Sequence, residues 1–359
     1  MKKILIVGVD WFGNDPVSQI VKNAFLNFST DSKIYFFGLG NKNDFGSSGN
    51  INYKTIKSPY FSALSFIYKA KRRIAKVINH DTFLNCSSYC YKRLSSFAKC
   101  IAPDLIVGVS GPMFYMESSA RISKKLGIPV NEVFFDPCSN NPTTVNYKKR
   151  RKKELWWFAC ANNVFFDSAN LIPNEKTKKI KTFSIPVNPT NCLFGQNSNI
   201  LIYGGGFYKG FREPNKLADF CRIAKKNGYV LKAFVRGNYG KELLKESGAE
   251  VYDEISHDDY IKEISFAKAI VALGNTCEAK YSPSKIIDGI NLKKPIITID
   301  IDLNSIVSYP FAFDWNTKDL FGRIEAISIA DLNNFNILEK NPNLSSSFFC
   351  NLITEIANL

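Results

Sequence analysis

Histidine is almost missing from this chain: His80 and His257 are the only two among 359 residues. A Ser–His–Asp hydrolytic triad is therefore disfavoured. No apolar run reaches the length of about 18 residues that a spanning helix needs. The 9 cysteines are scattered without a CxxC pair. Cys86 and Cys90 are spaced CxxxC with only His80 near them, which is poor zinc spacing. All nine read as reduced thiols of a cytoplasmic protein. The start, Met1-Lys2-Lys3 followed by Ile4 to Val9, only superficially resembles a signal peptide, because the apolar run is short and Asp10 interrupts it. It reads as a first buried strand. No GxGxxG follows a leading strand, so a dinucleotide fingerprint is absent. Gly8 to Gly13 is GxxxxG, but Asn14-Asp15 follow it instead of Lys-Ser/Thr, so there is no P-loop.

Acidic residues are scarce as well, but only in one half. The chain holds 47 Lys+Arg and 32 Asp+Glu, formally +15. Residues 1–197 contain 28 basic and 12 acidic side chains, whereas residues 198–359 contain 19 and 20. The first half is a cationic body and the second is neutral. Such an excess implies an anionic partner: nucleic acid, a membrane surface or a phosphorylated substrate. A composition 45% hydrophobic and 22% charged excludes disorder and a disulfide scaffold, and the length suggests two domains.

Short apolar runs alternate with helical patterns. Strands are expected at 4–9, 33–37, 104–109, 130–135 and 163–166, then at 199–203, 230–235, 268–273 and 295–299. Each is rich in Ile, Val, Phe or Leu, as in strands buried on both faces. Helices are expected at 16–28, 116–126, 214–227, 240–247, 258–267 and 283–292. The alternation predicts an α/β protein with two doubly wound parallel sheets. Pro186, Pro189 and Gly195 mark a polar linker. The predicted domains are 1–195 and 196–359, facing across a cleft, with the last segment, 344–359, helical and packing on either one. Residues 51–103 break the rhythm as a helical insertion with 10 Lys+Arg and one acid, Asp81. Within it, 63–78 reads as an amphipathic helix with Lys69, Arg72, Arg73 and Lys76 on the polar face. A second helix covers 89–100. The basic face reads either as a solvated surface or as a patch for anionic headgroups.

The segment Tyr281-Ser282-Pro283-Ser284-Lys285-Ile286-Ile287-Asp288 opens a helix, with Ser282 as N-cap and Pro283 at the first position. Its free N–H groups make an anion site. Lys285 puts a cation in the first turn, where a helix gains nothing from one, so a phosphate there accounts for it. Asp288, one turn on, can reach ribose hydroxyls. The alternative is a capped structural helix with a solvated lysine. Gly204-Gly205-Gly206 follow a strand and lead to Lys209-Gly210, a turn in which backbone can approach phosphate.

These segments resemble the GT-B glycosyltransferases, especially the group-1, GT4-like family. Pro283, Ser284, Lys285, Lys294, Pro295 and Ile296 match its P-S-K…K-P pattern, and Lys209-Gly210 match its glycine-rich turn. The resemblance implies donor contacts by Gly205, Gly206, Lys209, Ser284 and Lys285 at the diphosphate, with Arg212 in place of a missing arginine, and by Asp288 at the ribose. Asp stands where that family has Glu, and Lys280 stands where it has a second Glu; Glu278 is nearby but out of register. The likeness is strong over 199–300 and diffuse over 1–190.

Three aspartates of the first half are candidate bases. Asp10 and Asp15 follow the first strand, and Asp15 before Pro16 also reads as a helix cap. Asp136 ends the strand at 130–135 and alternatively caps a turn. Asp300-Ile301-Asp302 is a DxD triplet that closes a core strand and reads as structural, so no metal is expected. His257 reads as part of a helix cap. The block Lys148-Lys149-Arg150-Arg151-Lys152-Lys153 is a solvated helix face or an attraction for lipid diphosphate or phospholipid. The resulting expectation is a metal-independent transferase without a cofactor. It would move a sugar from a nucleotide-diphosphate donor to a lipid-linked glycan of surface polysaccharide synthesis, on the inner face of the cell membrane. The alternatives are a nucleotide-sugar epimerase or hydrolase of the same fold, or a basic RNA-binding protein; no nucleic-acid motif is present.

Overall fold

The structure is a computed structural model. It describes residues 1–13, 15–59, 86–136, 138–139, 146–167, 180–190, 198–276, 284–301 and 309–355, with single positions 66, 70 and 172. The chain divides into two compact units, Met1–Pro186 with Ser346–Leu359, and Val187–Ser345.

In the first unit the chain runs β1 (Lys3–Val7), α1 (Pro16–Leu26), β2 (Lys33–Gly40), β3 (Asp44–Ser48), β4 (Ile51–Lys57), α2 (Ser87–Ile101), β5 (Leu105–Val109), α3 (Phe114–Leu126), β6 (Val130–Phe134), α4 (Tyr147–Cys160), β7 (Asn163–Phe166) and β8 (Ile180–Thr182). The sheet order is β3-β4-β2-β1-β5-β6-β7-β8, parallel except for β3 on β4. Alternate residues of β1 face opposite cores. Ile4 and Ile6 pack with Val21 and Phe25 of α1, whereas Leu5 and Val7 pack with Leu94 and Ala98 of α2 and Ile122 of α3. Period two in a strand covered on both faces produces the unbroken apolar runs seen in the sequence.

The second unit runs β9 (Ile200–Gly206), α5 (Asn215–Lys226), β10 (Val230–Arg236), α6 (Lys241–Glu246), β11 (Glu250–Asp253), α7 (His257–Phe266), β12 (Ala269–Leu273), α8 (Ser284–Asn291), β13 (Ile296–Ile299) and β14 (Ala312–Asp314). Three short helices follow: α9 (Leu320–Ala326), α10 (Ile329–Asn334) and α11 (Ile337–Lys340). Its sheet is wholly parallel, in the order β11-β10-β9-β12-β13-β14. That is the doubly wound 3-2-1-4-5-6 arrangement, whose strand order reverses between β9 and β12. The last helix, α12 (Ser346–Thr354), belongs to the first unit, where Phe349 and Ile353 pack with Phe135 and Phe183.

The structure corrects two readings. The helical insertion cannot start at 51, because 51–57 is strand β4, paired in parallel with β2. Ile51 and Thr55 point inward there, and β-branched residues suit a pleated, half-buried surface. Of the predicted helix 63–78, nearly all lies outside the described residues, including Lys69, Arg72, Arg73 and Lys76. Second, Gly204, Gly205 and Gly206 do not follow β9; they are its last three residues, paired with Phe234, Val235 and Arg236 of β10.

Candidate functional site

The C-terminal edge of the second sheet carries the residues singled out in the sequence for donor contacts. Gly204 needs its missing side chain for packing, since a Cβ there would collide with the ring of Tyr260 from α7. Above that ring stands Lys285 of α8, its Nζ 4.0 Å from the ring centroid. Lys285 also donates to Asp288 Oδ2 at 3.3 Å. His257, the first residue of α7, holds Nε2 3.8 Å from Asp288 Oδ1. Tyr260 is thus a bridge between the glycine end of β9 and the first turn of α8. Its Oη is buried without a hydrogen-bond partner among the described residues. Burial, with the Asp288 charge adding, raises the phenol well above its ordinary value, so it stays a donor.

Arg212 lies in the turn that follows β9, closed by Tyr208 N–H donating to the Arg212 carbonyl at 2.9 Å. Its Nε and Nη2 donate to Asn275 Oδ1 at 3.1 and 2.9 Å. Asn275 is buried just beyond β12. This pair joins the loops after β9 and β12, the strands between which the order reverses, and it fixes the guanidinium at the place where open α/β sheets bind ligands. Lys209 is exposed in the same turn. Arg236, by contrast, has its charge met by Glu254, to which its Nε donates at 2.8 and 2.9 Å. That bond, and Lys285 more distantly, hold the Glu254 carboxyl below its usual range. The site therefore offers Lys209, Arg212 and Lys285 as cations. Of the remaining predicted contacts, Gly205 and Gly206 sit in β9 beside this cluster. Ser284 begins α8, while Ser282 and Pro283 lie outside the described residues.

Lys294, part of the same motif, is elsewhere engaged. It is buried, and its Nζ donates to the Ser265 and Ala267 carbonyls at 2.8 and 3.0 Å. It satisfies the C-terminal end of α7, a structural role. Asp300, with a left-handed φ of 57°, pairs with Lys216; Asp302 lies outside the described residues.

Of the three candidate bases of the first unit, Asp10 and Asp15 flank Gly13 and share Ser18, whose Oγ accepts from Asp10 N at 3.0 Å. Asp15 caps α1, accepting from Ser18 N at 2.9 Å. Asp10 organises the turn after β1: its Oδ1 accepts from Thr55 Oγ1 at 3.0 Å and from Phe12 N at 3.2 Å. Asp136 follows β6 and has company that the sequence did not reveal. Asp167, at the end of the neighbouring β7, has a buried Oδ1 without a partner among the described residues. Burial raises both carboxyls, and for Asp167 the charge of Asp136 adds to it.

The basic block of α4 divides in the structure. Lys148, Lys149 and Lys152 are exposed. Arg151 donates to the buried Glu154 at 2.7 Å, and Lys153 to Glu117 at 3.0 Å. Arg150 reaches the Cys138 carbonyl at 3.5 Å. Among the described residues no helix is long and apolar enough to cross a membrane.

By sequence, no protein-family description and no curated protein matches the chain. By structure, solved proteins match it nearly end to end. The apo form of the lipopolysaccharide outer core galactosyltransferase WaaB shares 15% identity at a TM-score of 0.54, over 98% of this chain and 99% of that one. The α,α-trehalose 6-phosphate synthase of Burkholderia multivorans shares 11% at 0.63, over 98% and 97%. The UDP-GlcNAc 2-epimerase of Methanocaldococcus jannaschii shares 11% at 0.52, over 99% of each chain. The architecture is the GT-B fold, as the sequence resemblance implied.

Proposed function

We propose that this GT-B chain is a glycosyltransferase that moves a sugar from a nucleotide-diphosphate donor to a hydroxyl of a lipid-linked glycan. The observation that carries the reading is the cluster around Tyr260, which joins the end of β9 to Lys285 and Asp288. The second unit binds the donor. Lys209, Arg212, Lys285 and the backbone of Gly205, Gly206 and Ser284 meet the diphosphate, and Asp288 meets the ribose. Fixed cations lower the energy of the departing diphosphate as its charge develops. In this reading they do the work of a metal, so chelation leaves turnover unchanged. The first unit takes the acceptor, with Asp136 accepting the proton of the attacking hydroxyl; a carboxyl raised by burial is the better matched to that task near neutral pH. Lys148 and Lys149, with Arg150 and Arg151 behind them and the segment holding Lys69, Arg72, Arg73 and Lys76, favour an anionic membrane surface, and hence the inner face of the cell membrane and surface polysaccharide synthesis. The resemblance of the Pro283-Ser284-Lys285 and Lys294-Pro295 segments to the group-1 family is in keeping with this reading.

Titration calorimetry with UDP-, GDP- and dTDP-sugars tests the donor site; binding of none of them defeats the proposal. One specific observation favours a second reading, an epimerase: the end-to-end match to a UDP-GlcNAc 2-epimerase. Nucleotide release that depends on added glycan acceptor supports the transferase. Conversion of a nucleotide sugar without any acceptor supports the epimerase.

A further inference from the structure

His257 stands outside every motif of the sequence, and its bland reading as a cap is taken over by its neighbour. Ser256 caps α7, accepting from Asp259 N at 3.2 Å. The imidazole of His257 turns instead toward α8. Its Nε2 lies 3.8 Å from Asp288 Oδ1, beyond direct hydrogen-bond reach. The other oxygen of that carboxylate accepts from Lys285. The His257 side chain is 33% exposed and that of Asp288 is 12% exposed, so the gap between them is sheltered yet open to a ligand.

The chemistry of the gap is selective. A carboxylate only accepts, while a neutral imidazole donates through one nitrogen. A hydroxyl oxygen placed about 2.8 Å from both atoms donates to Asp288 and accepts from His257 at once. A CH2 group in the same place does neither and leaves both polar groups desolvated without a partner. We infer that His257 is a specificity-determining residue that, with Asp288, reads a hydroxyl of the donor's ribose and rejects a deoxyribose. Tyr260, three residues further along the same helix, holds Lys285 beside this gap, with Nζ 4.0 Å from its ring centroid. This inference rests on the donor-site reading proposed above.

The test is equilibrium binding of UDP, GDP and ADP, each beside its 2′-deoxy counterpart, to the full chain and to two variants, His257→Ala and His257→Gln. The wild-type chain is expected to bind its preferred ribonucleotide about tenfold more tightly than the deoxy form, the worth of roughly one well-placed hydrogen bond. His257→Ala is expected to erase most of that ratio, by weakening the ribonucleotide and by relieving the deoxy form of a stranded imidazole, and an unchanged melting temperature shows that the variant is folded. His257→Gln, whose amide still donates, is expected to restore part of it. An unchanged ratio in His257→Ala, or a wild-type chain that does not distinguish the two sugars, overturns the inference and leaves the donor site standing. A wild-type chain that binds a dTDP-sugar but none of UDP, GDP and ADP likewise overturns the inference and leaves the donor site standing; one that binds neither overturns the donor site itself.

Discussion

Lys285 and Tyr260 form a stacked pair, the ammonium 4.0 Å from the ring centroid, on two helices that flank β12 in sequence. A cation over a buried aromatic face is held in place without its charge being cancelled. Lys285 thereby stays available to an anion even though Asp288 also accepts from it. Lys285→Met is expected to weaken binding of a nucleoside diphosphate about tenfold or more with little change in melting temperature. Calorimetry on both proteins checks it; equal affinity would remove Lys285 from the site.

Gly204→Ala tests the same pair from the other side. Its Cβ drives into the Tyr260 ring, so a loss of about 1–3 kcal/mol in stability is expected together with weaker donor binding. Tyr260→Phe separates the two effects. It removes only the unpartnered hydroxyl and keeps the ring against which Gly204 and Lys285 pack, so stability is expected to hold or rise and donor affinity to stay unchanged. Denaturant titration beside calorimetry reads both.

Asp136→Asn is expected to lower turnover about 100-fold or more without changing donor affinity, the signature of a lost base. Asp167 raises the stakes of the pH profile. Burial and the charge of Asp136 hold its carboxyl well above the ordinary range, whereas Asp136 is raised by burial alone. Asp136 therefore ionises first, facing a neutral Asp167, and Asp167→Asn, which keeps that neighbour neutral, is expected to leave the acid limb of the kcat/KM profile in place. A limb that moves to lower pH would show that Asp167 carries its charge while Asp136 titrates.

Glu132 sets a pH dependence unrelated to catalysis. It is fully buried within β6, where Ser119 Oγ donates to its Oε1 at 3.4 Å, and burial raises its carboxyl well above 4.5. The unfolded chain releases this proton near 4.5, whereas the folded chain keeps it. The group's contribution is therefore full below that value. It is lost as pH rises toward the folded value, by about 1.4 kcal/mol per pH unit. Glu132→Gln is expected to flatten that slope, and urea denaturation between pH 4.5 and 8 measures it.

The α4 cations are expected to separate by role. Changing Lys148 and Lys149 to Gln should leave stability within about 0.5 kcal/mol and weaken binding to vesicles containing anionic lipid roughly thirtyfold. Arg151→Glu should cost about 3 kcal/mol, because Glu154 is buried and loses its counter-charge. Vesicle sedimentation and thermal melts check the contrast.

The strands legible in the sequence were the central ones. Runs such as Leu201-Ile202-Tyr203 and Ile270-Val271-Ala272 are apolar because helices cover both faces. The strands that escaped notice lie at the rims: β3, β8, β11 and β14 are short edge strands, and β4 stands one in from the edge. β11 reads Glu-Val-Tyr-Asp with most side chains in solvent; an edge needs polarity, which erases the apolar signal. In the candidate site, Lys209, Lys285 and Asp288 could be read from local spacing. Tyr260, His257, Asn275 and Asp167 could not, because they arrive from α7 and from the ends of β12 and β7, and only the sheet order brings them near their partners. Lys294 carries the opposite lesson: it lies in the same motif but ties down the end of α7.

Helix α12 has a consequence for how the chain matures. Asn131, deep in β6, donates to the carbonyls of Ile353 and Glu355 at 2.9 Å, and Phe349 closes the space beside Phe135 and Phe183. The unit translated first thus lacks a wall until residues 346–354 leave the ribosome, by which time the whole of the other unit has already been made. A nascent chain must carry that uncovered apolar face throughout elongation, so a premature stop codon near residue 345 would injure the N-terminal unit, not the one beside which it falls.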